Sequence, residues 1–379
     1  MKNNVLKALI VVALLTTIFA LTSCDLFEKK HEHVFSEWET TIQPTCEVAG
    51  KKERSCECGE VEAEALITNH IYEGDVCKFC GCTHSKYFGF TKLDDGTYSV
   101  RAKDANDMPD EIVIPRTHNG SLISAIDSWG FYGCRNSPSI VIPDTVTSIG
   151  ARAFYDCTSL KNITIPERVT SIGDNAFEKC VNLKSIVIPD LVTSIGSYAF
   201  SGCKNLESVV IGKSVLTIGS YAFVECSSIS SLEIGECVRT IGDAAFYGCV
   251  SLKDLVIPDS VTSIGKEAFA NCSRLVSVDI PGSVTSIGEY AFYGCASLKH
   301  VVIPDGITAI SCLAFYSCRG LESIVIPASV VTIEARAFYD CDSLKNVYFK
   351  GSEAEWNAIT IDFDNKPLTN ATIQFNYAN

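Results

Sequence analysis

The sequence predicts a repeat solenoid, and a strict period is the first sign of it. Ten cysteines, Cys134, Cys157, Cys180, Cys203, Cys226, Cys249, Cys272, Cys295, Cys318 and Cys341, stand 23 residues apart without a slip. Other columns keep the same register: a phenylalanine three residues before each cysteine, from Phe131 to Phe338, and an isoleucine eight before it, from Ile126 to Ile333. A leucine or isoleucine also follows three residues after every cysteine but the first, as at Leu160, Leu183, Ile229 and Leu344. A period of 20 to 30 residues with L-x-x-L-x-L character, visible as Leu160-x-x-Ile163-x-Ile165, is the leucine-rich-repeat signature, in which each unit is one coil. The expected fold therefore has 23-residue coils, with a parallel β-sheet on one face and short strands or helical turns on the other.

In chain order, residues 1–23 read as an export signal. Lys2 and Lys7 precede an apolar run from Ala8 to about Leu21 that is too short and one-sided to span a membrane as a helix. The run ends in Leu21-Thr22-Ser23-Cys24, which resembles the bacterial lipobox. That resemblance implies lipid attachment at Cys24 and a mature protein on a membrane outside the cytoplasm; more than one acyl chain is needed for a stable anchor. Residues 24–34 are polar and form a tether.

Residues 35–84 hold six cysteines and little hydrophobic periodicity, so this small cysteine-rich module needs staples. Cys56-x-Cys58 and Cys77-x-x-Cys80 are separated by 18 residues, close to the spacing by which two knuckles hold a tetrahedral zinc ion, although the first knuckle is one residue short. Cys46, His70 and Cys82 lie near them. Zinc, disulfides and free thiols all remain open, and either of the first two would be structural, because four protein ligands leave no position for a reacting water. No other cofactor is required.

Residues 85–110 read as a capping hairpin, with Tyr87, Phe88 and Phe90 on one arm, Tyr98 and Val100 on the other, and Asp95-Gly96 at the turn. The array proper spans 111–350. Its first coil carries five extra residues that include the turn dipeptide Asn119-Gly120, expected to project as a small loop. In the regular coil 160–182, Ile163 and Ile165 point inward from a first strand that Pro166 stops, and Val169 and Ile172 point inward from a second extended segment ending at Gly173. Ala176, Phe177 and Cys180 follow at helical spacing and predict one short helical turn. A coil cannot bury this set alone, so stability must come from stacking. Residues 351–379 form a C-terminal cap: Ser352 with Glu355 makes a capping box for a short helix carrying Trp356, and the alternations Ile359, Ile361, Phe363 and Ile373, Phe375, Tyr377 predict two closing strands.

Composition narrows the function. The 379 residues carry a net charge of -14 and 47% hydrophobic residues, which supports an elongated core and offers no basic patch, so nucleic acid is excluded as a partner. The ten column cysteines face the same way on adjacent coils about 4.8 Å apart, and a disulfide needs facing Cβ atoms, so these thiols should be buried and reduced.

Function is then expected on a surface. The outward rows of the sheet lie five and seven residues after each repeat cysteine and form small hydroxyls beside valines. Glu233, Asp254, Asp279 and His300 are the charged interruption of those rows, with Val256, Val302 and Tyr348 beside them; together they make the candidate ligand-binding surface. Tyr155, Tyr247, Tyr293, Tyr316 and Tyr339, each following a core phenylalanine, should lie on the outer rim. No catalytic residue is assigned in these rows, and the chain is not expected to be an enzyme.

Segments such as Leu183-Lys184-Ser185-Ile186-Val187-Ile188-Pro189-Asp190, then Val192-Thr193-Ser194-Ile195-Gly196 and Ala199-Phe200-Ser201-Gly202-Cys203, resemble the BspA-like leucine-rich repeats of bacterial surface proteins. The resemblance covers about 110–350 and implies a non-enzymatic adhesion protein that binds host or neighbouring-cell proteins. The alternative, a carbohydrate- or cell-wall-binding module, needs aromatic platforms on one face, and the sheet rows offer only Tyr348. Departures from the pattern are Gly212 and Gly235 in place of the strand-ending proline, and Ser311 and Glu334 in place of the glycine after isoleucine; local irregularities are expected there.

Overall fold

The structure, a computed structural model, describes residues 39–42, 50–55, 61–66, 72–73, 76–77 and 84–378. The chain divides into two units, Met1–Thr83 and His84–Asn379. In the first unit the strands Glu39–Ile42, Gly50–Ser55 and Val61–Leu66 form an antiparallel sheet in that order, and Tyr72–Glu73 pairs antiparallel with Val76–Cys77. This sheet was not foreseen in the sequence.

The second unit is the solenoid. Its first side is the expected parallel sheet, in which equivalent residues pair one repeat apart: Ser185 with Ser208, Ser208 with Ser231, and Asp254 with Ser277. Alternation along each short strand buries the middle residue, so Ile186 and Leu255 are 2% exposed while Val187 and Val256 face out. The sheet is interrupted twice. One break lies between Ser231–Glu233 and Asp254–Val256, directly after Gly235, where an irregularity was expected; at Gly212 the strands pair in unbroken register and the expected irregularity is not seen. At both glycines the coils come together so closely that an added Cβ would lie 2.3 and 2.2 Å from a carbonyl oxygen of the preceding coil. The other break, between Asn162–Ile163 and Ser185–Val187, falls where the prolines are in place.

The second side is more regular than the first. Two-residue strands from Ser148–Ile149 to Ser286–Ile287 pair parallel without interruption, and the ladder continues through Ser121–Ile126 into the N-terminal hairpin Phe88–Lys92 and Tyr98–Ala102. The glycine after each isoleucine permits this. A Cβ on Gly173 would stand 2.6 Å from the Ala151 nitrogen, and one on Gly288 2.5 Å from the Lys266 nitrogen, so a side chain at either position would force a local shift. At Ser311 the ladder stops at Ser286–Ile287 and restarts at Ala309–Ile310, as the departure there predicted, whereas at Glu334 it runs on without the expected irregularity.

On the third side the expected helical turn is replaced by a run of tight turns. Asn175 and Lys179 adopt φ of 58° and 62°, which breaks a right-handed helix. Alternate amides point out of the coil: Asn175, Phe177 and Lys179 donate to Ser197, Ala199 and Ser201 of the next coil at 2.7–2.8 Å, while Ala176, Glu178 and Cys180 close turns within their own coil. Satisfying amides between coils wins over helical spacing because every neighbouring coil offers a carbonyl in register.

The core is a stack of columns. The phenylalanines from Phe131 to Phe338 are fully buried and lie face to face, with ring centroids 5.0–5.6 Å apart. Beside them, the column cysteines are free and fully buried. From Cys157 onward each thiol donates to the phenylalanine carbonyl of the preceding coil, at 3.1 Å from Cys157 to Phe131 and 3.2 Å from Cys203 to Phe177. Cysteine therefore serves as a small apolar residue that also fills a carbonyl's second lone pair. Burial holds the Cys203, Cys249, Cys295 and Cys318 thiols far above their ordinary pKa, and it pushes Cys272 up to about 12.

Both ends are closed. At the N-terminal end the hairpin turns at Gly96, with φ of 85°, and Phe88 packs edge-on against Phe131 at 6.2 Å. The extra residues of the first coil form a tight hairpin, Thr117–His118 against Ser121–Ile126, turning at Asn119-Gly120 as expected. At the C-terminal end Ser352 and Glu355 make the predicted capping box on helix Glu353–Asn357, which buries Trp356 against Phe349. The closing strands Thr360–Ile361 and Thr372–Gln374 extend the second and first sides respectively. Beyond those expectations, the buried Asn365 replaces a missing coil: its Oδ1 accepts from the Phe338 amide at 3.0 Å, where earlier phenylalanine amides reach an alanine carbonyl, and its Nδ2 donates to Glu334 and Asp362 carbonyls.

Candidate interaction surface

The outward rows of the first sheet place most of the predicted residues together. Asp254, Ser277, His300 and Ser323 follow one another on adjacent coils in one row, and Val256 pairs with Asp279 in the other. Asp254 accepts a hydrogen bond from the Ser277 hydroxyl at 2.9 Å, and His300 Nδ1 lies 2.8 Å from Ser323 Oγ. Asp254, Asp279 and His300 are exposed, as is Val256, which at 72% is the most open of the large apolar side chains among the described residues. The result is an aliphatic knob flanked by two carboxylates, with an imidazole one coil beyond Asp279.

The structure trims this surface at both ends. Glu233 is exposed but lies across the sheet break and is not laddered to Asp254. Val302 is half-buried, and the next valine of the row, Val325, is 1% exposed where an outward side chain was expected. Its row neighbour Tyr348 is also half-buried, with its ring 4.7 Å from Tyr377, so the closing strand and its aromatic side chains cover this end of the row. Val141, Val187 and Val256 are exposed at separate points of the row, Val210 between them is half-buried, and the row is shaded beyond Asp279.

The BspA-type leucine-rich-repeat description matches residues 124–253 and 239–362, which together are more than half of the chain. The chain belongs to the BspA-type leucine-rich-repeat family. Among solved structures, a leucine-rich repeat protein from Bacteroides ovatus is 32% identical, covers 69% of this chain and 70% of its own length, and superposes with a TM-score of 0.61. A leucine rich cell surface protein from Faecalibacterium prausnitzii is 29% identical over 73% of this chain and 96% of its own, with a TM-score of 0.37. The T. pallidum leucine rich repeat protein is 29% identical over 57% of this chain and 90% of its own, with a TM-score of 0.45. No curated protein matches the chain. This BspA-type fold is that of a non-catalytic family, and among the described residues no group of three or more His, Cys, Asp or Glu side chains could hold a metal ion.

Several predicted positions of this family member lie outside the described residues: the lipid-attachment Cys24, the signal and tether, and the candidate zinc ligands Cys56, Cys58 and Cys80. Cys77 ends the short strand Val76–Cys77. The rim tyrosines are placed as expected; Tyr155, Tyr247, Tyr293 and Tyr316 are half-buried and Tyr339 is exposed. A second aromatic column was missed. Trp129, Tyr198, Tyr221 and Tyr290 stand two residues before their core phenylalanines, each with positive φ, and the signal for it is the same 23-residue period read at a different offset.

Proposed function

We propose that the chain is an exported, lipid-anchored surface protein whose solenoid binds proteins of a host or a neighbouring cell through its sheet face. One observation supports this reading above the rest: Val256 stands 72% exposed on a laddered sheet, flanked by the exposed Asp254 of its own strand and Asp279 of the next, with His300 one coil further on. An apolar centre with charged surroundings is the anatomy of a protein-binding patch, in which the apolar part supplies burial and the charges select the partner. The charge pattern selects partners with a basic contact surface. Anchoring rests on the sequence from Lys2 to Cys24, and the cysteines of residues 35–84 hold either a structural zinc ion or disulfides.

Two measurements test this. Binding to host-cell or community surface proteins is compared between the full chain and the double variant Asp254→Lys, Asp279→Lys. Loss of binding with an unchanged thermal midpoint supports the sheet face, and undiminished binding removes it. Separately, Cys24→Ala should move the protein from the membrane to the soluble fraction without altering its fold, and a variant that stays membrane-bound rules out the lipid anchor. Elemental analysis of protein purified without chelator decides between zinc, expected at one equivalent, and oxidised thiols.

A further inference from the structure

The turn side of the coils carries a second feature, independent of the sheet face. In the column that follows the core phenylalanines, Tyr293 stacks on Tyr316 at 5.1 Å and 15°, and Tyr316 on Tyr339 at 5.2 Å and 17°. Ala270 interrupts this column between Tyr247 and Tyr293. Those two tyrosines stand two coils apart, which at the strand spacing is about 10 Å. One ring is missing from the ladder, and alanine, 1% exposed, forms the floor of the gap.

A cleft of about 370 Å³ opens at this gap, within the range of about 300–1,000 Å³ common to small-molecule sites. Tyr247, Ala270, Tyr293 and Tyr316 line one side, and the residues two before the core phenylalanines, among them Glu267, Tyr290 and Arg336, line the other. The Tyr290 ring meets Tyr293 at 5.9 Å and 52°, closing a corner. Among the described residues the hydroxyls of these four tyrosines and the Glu267 carboxylate have no side-chain hydrogen bond or ion pair, whereas Arg336 is already bound to Asp364 at 3.0 Å.

We propose that this cleft binds one pyranose unit of a neutral saccharide, seated over Ala270 between Tyr247 and Tyr293. A pyranose presents apolar C–H faces and a rim of hydroxyls, and the cleft presents phenol faces one ring apart with unengaged hydroxyls and a carboxylate at its edge. An aromatic side chain of a peptide fits the gap as well but leaves those polar groups unanswered. Sulfated or uronic sugars are disfavoured by the net charge of -14 and by the engagement of Arg336 with Asp364. The aromatic platforms that the sheet rows lack are therefore on the opposite side of the same coils.

The test is a titration of the full-length protein with cellotriose, chitotriose and mannotriose, followed by saturation-transfer NMR, with a heparin trisaccharide and a tyrosine-containing tripeptide as comparators. At least one neutral trisaccharide should bind saturably. Ala270→Tyr, which supplies the missing ring, and Tyr293→Ala, which removes a platform, should each weaken binding about tenfold, the loss of roughly one stacking contact. The distant Lys204→Ala should bind as the parent does. The column already holds tyrosine at 247, 293, 316 and 339, so Ala270→Tyr has a geometry to adopt, and circular dichroism verifies that both variants fold. The proposal is overturned if none of the three neutral saccharides binds saturably, if binding survives both substitutions, or if only the tripeptide or the heparin fragment binds.

Discussion

Coils up to Gly288 and the two coils that follow use the same columns but differ at one atom. In the earlier stretch a glycine amide reaches the isoleucine carbonyl of the preceding coil, as from Gly288 to Ile264 at 2.9 Å. At Ser311 the hydroxyl makes that bond instead, to Ile287 at 2.7 Å, and the strand ladder is lost at this step. Ile287, Ile303, Ile307, Ile310 and Phe315 line a crevice at this step that is too narrow to admit a water. One coil later Glu334, which carries a Cβ, still donates its amide to the Ile310 carbonyl at 2.9 Å and the ladder runs on through Thr332–Ile333, so the break accompanies the change of hydrogen-bond donor at Ser311 and not the presence of a Cβ alone.

The largest effect is expected where both regions agree. Burial pushes Cys272 in the regular stretch and Cys341 near the end to the same value, about 12, and raises Cys203, Cys249, Cys295 and Cys318 as well. An unfolded thiol titrates near ~8.5, so above that pH the folded state keeps protons that the unfolded state has released. Stability from this column is complete below about pH 8.5 and declines as pH rises towards about 12. Thermal midpoints should be level from about pH 6 to 8 and fall steeply above about 9; a level curve to about pH 11 would mean the thiols do not titrate with unfolding.

Next in size is Phe246→Ala, which opens a hole between Phe223 and Phe269, stacked at 5.2 and 5.5 Å on either side. Its cost should be about 3–5 kcal/mol, with hydrogen exchange rising in the adjoining coils before distant ones. Asn365→Ala removes three hydrogen bonds of the closing cap and should cost about 1–3 kcal/mol, with fraying confined to the C-terminal coils. Gly219→Ser transplants the later arrangement into the regular stretch and should cost about 1–3 kcal/mol through crowding against the Gly196 backbone. If Gly219→Ser proves neutral, glycine does not set the spacing. Smallest is Val256→Ala on the open sheet face, expected within about 0.5 kcal/mol; a penalty larger than that of Phe246→Ala would show that the inward and outward faces have been exchanged.

Much of this fold was legible because periodic burial leaves periodic residues. The phenylalanine, cysteine and isoleucine columns, the Asp95-Gly96 and Asn119-Gly120 turns, and the Ser352–Glu355 capping box each carry a local chemical signature. The third side did not. Its left-handed positions are held by Arg152, Asn175, Tyr198, Glu267 and Leu313, residues of unlike chemistry, because the conformation is imposed by hydrogen bonds between coils and not by the residue itself. Asn365 was illegible for a related reason: a lone asparagine acquires its role only from the amide that the last coil leaves open. On the sheet face, Asp254, Val256, Asp279 and His300 followed from strand alternation alone. The shading of Val325 required knowing that the chain folds back as Thr372–Gln374 and sets Tyr377 against Tyr348.

The Asn365 cap also bears on how such a chain can change its length. Its hydrogen bonds to the array reach only Glu334 and Phe338, both within the final coil, and the opening hairpin contacts only the beginning. Neither terminus counts the coils between them. A tandem duplication or deletion of one 23-residue unit leaves both end structures with the partners they now have and alters the array by about 4.8 Å. Reach is therefore an adjustable, nearly modular quantity, able to drift through unequal recombination while stacking and closure are conserved.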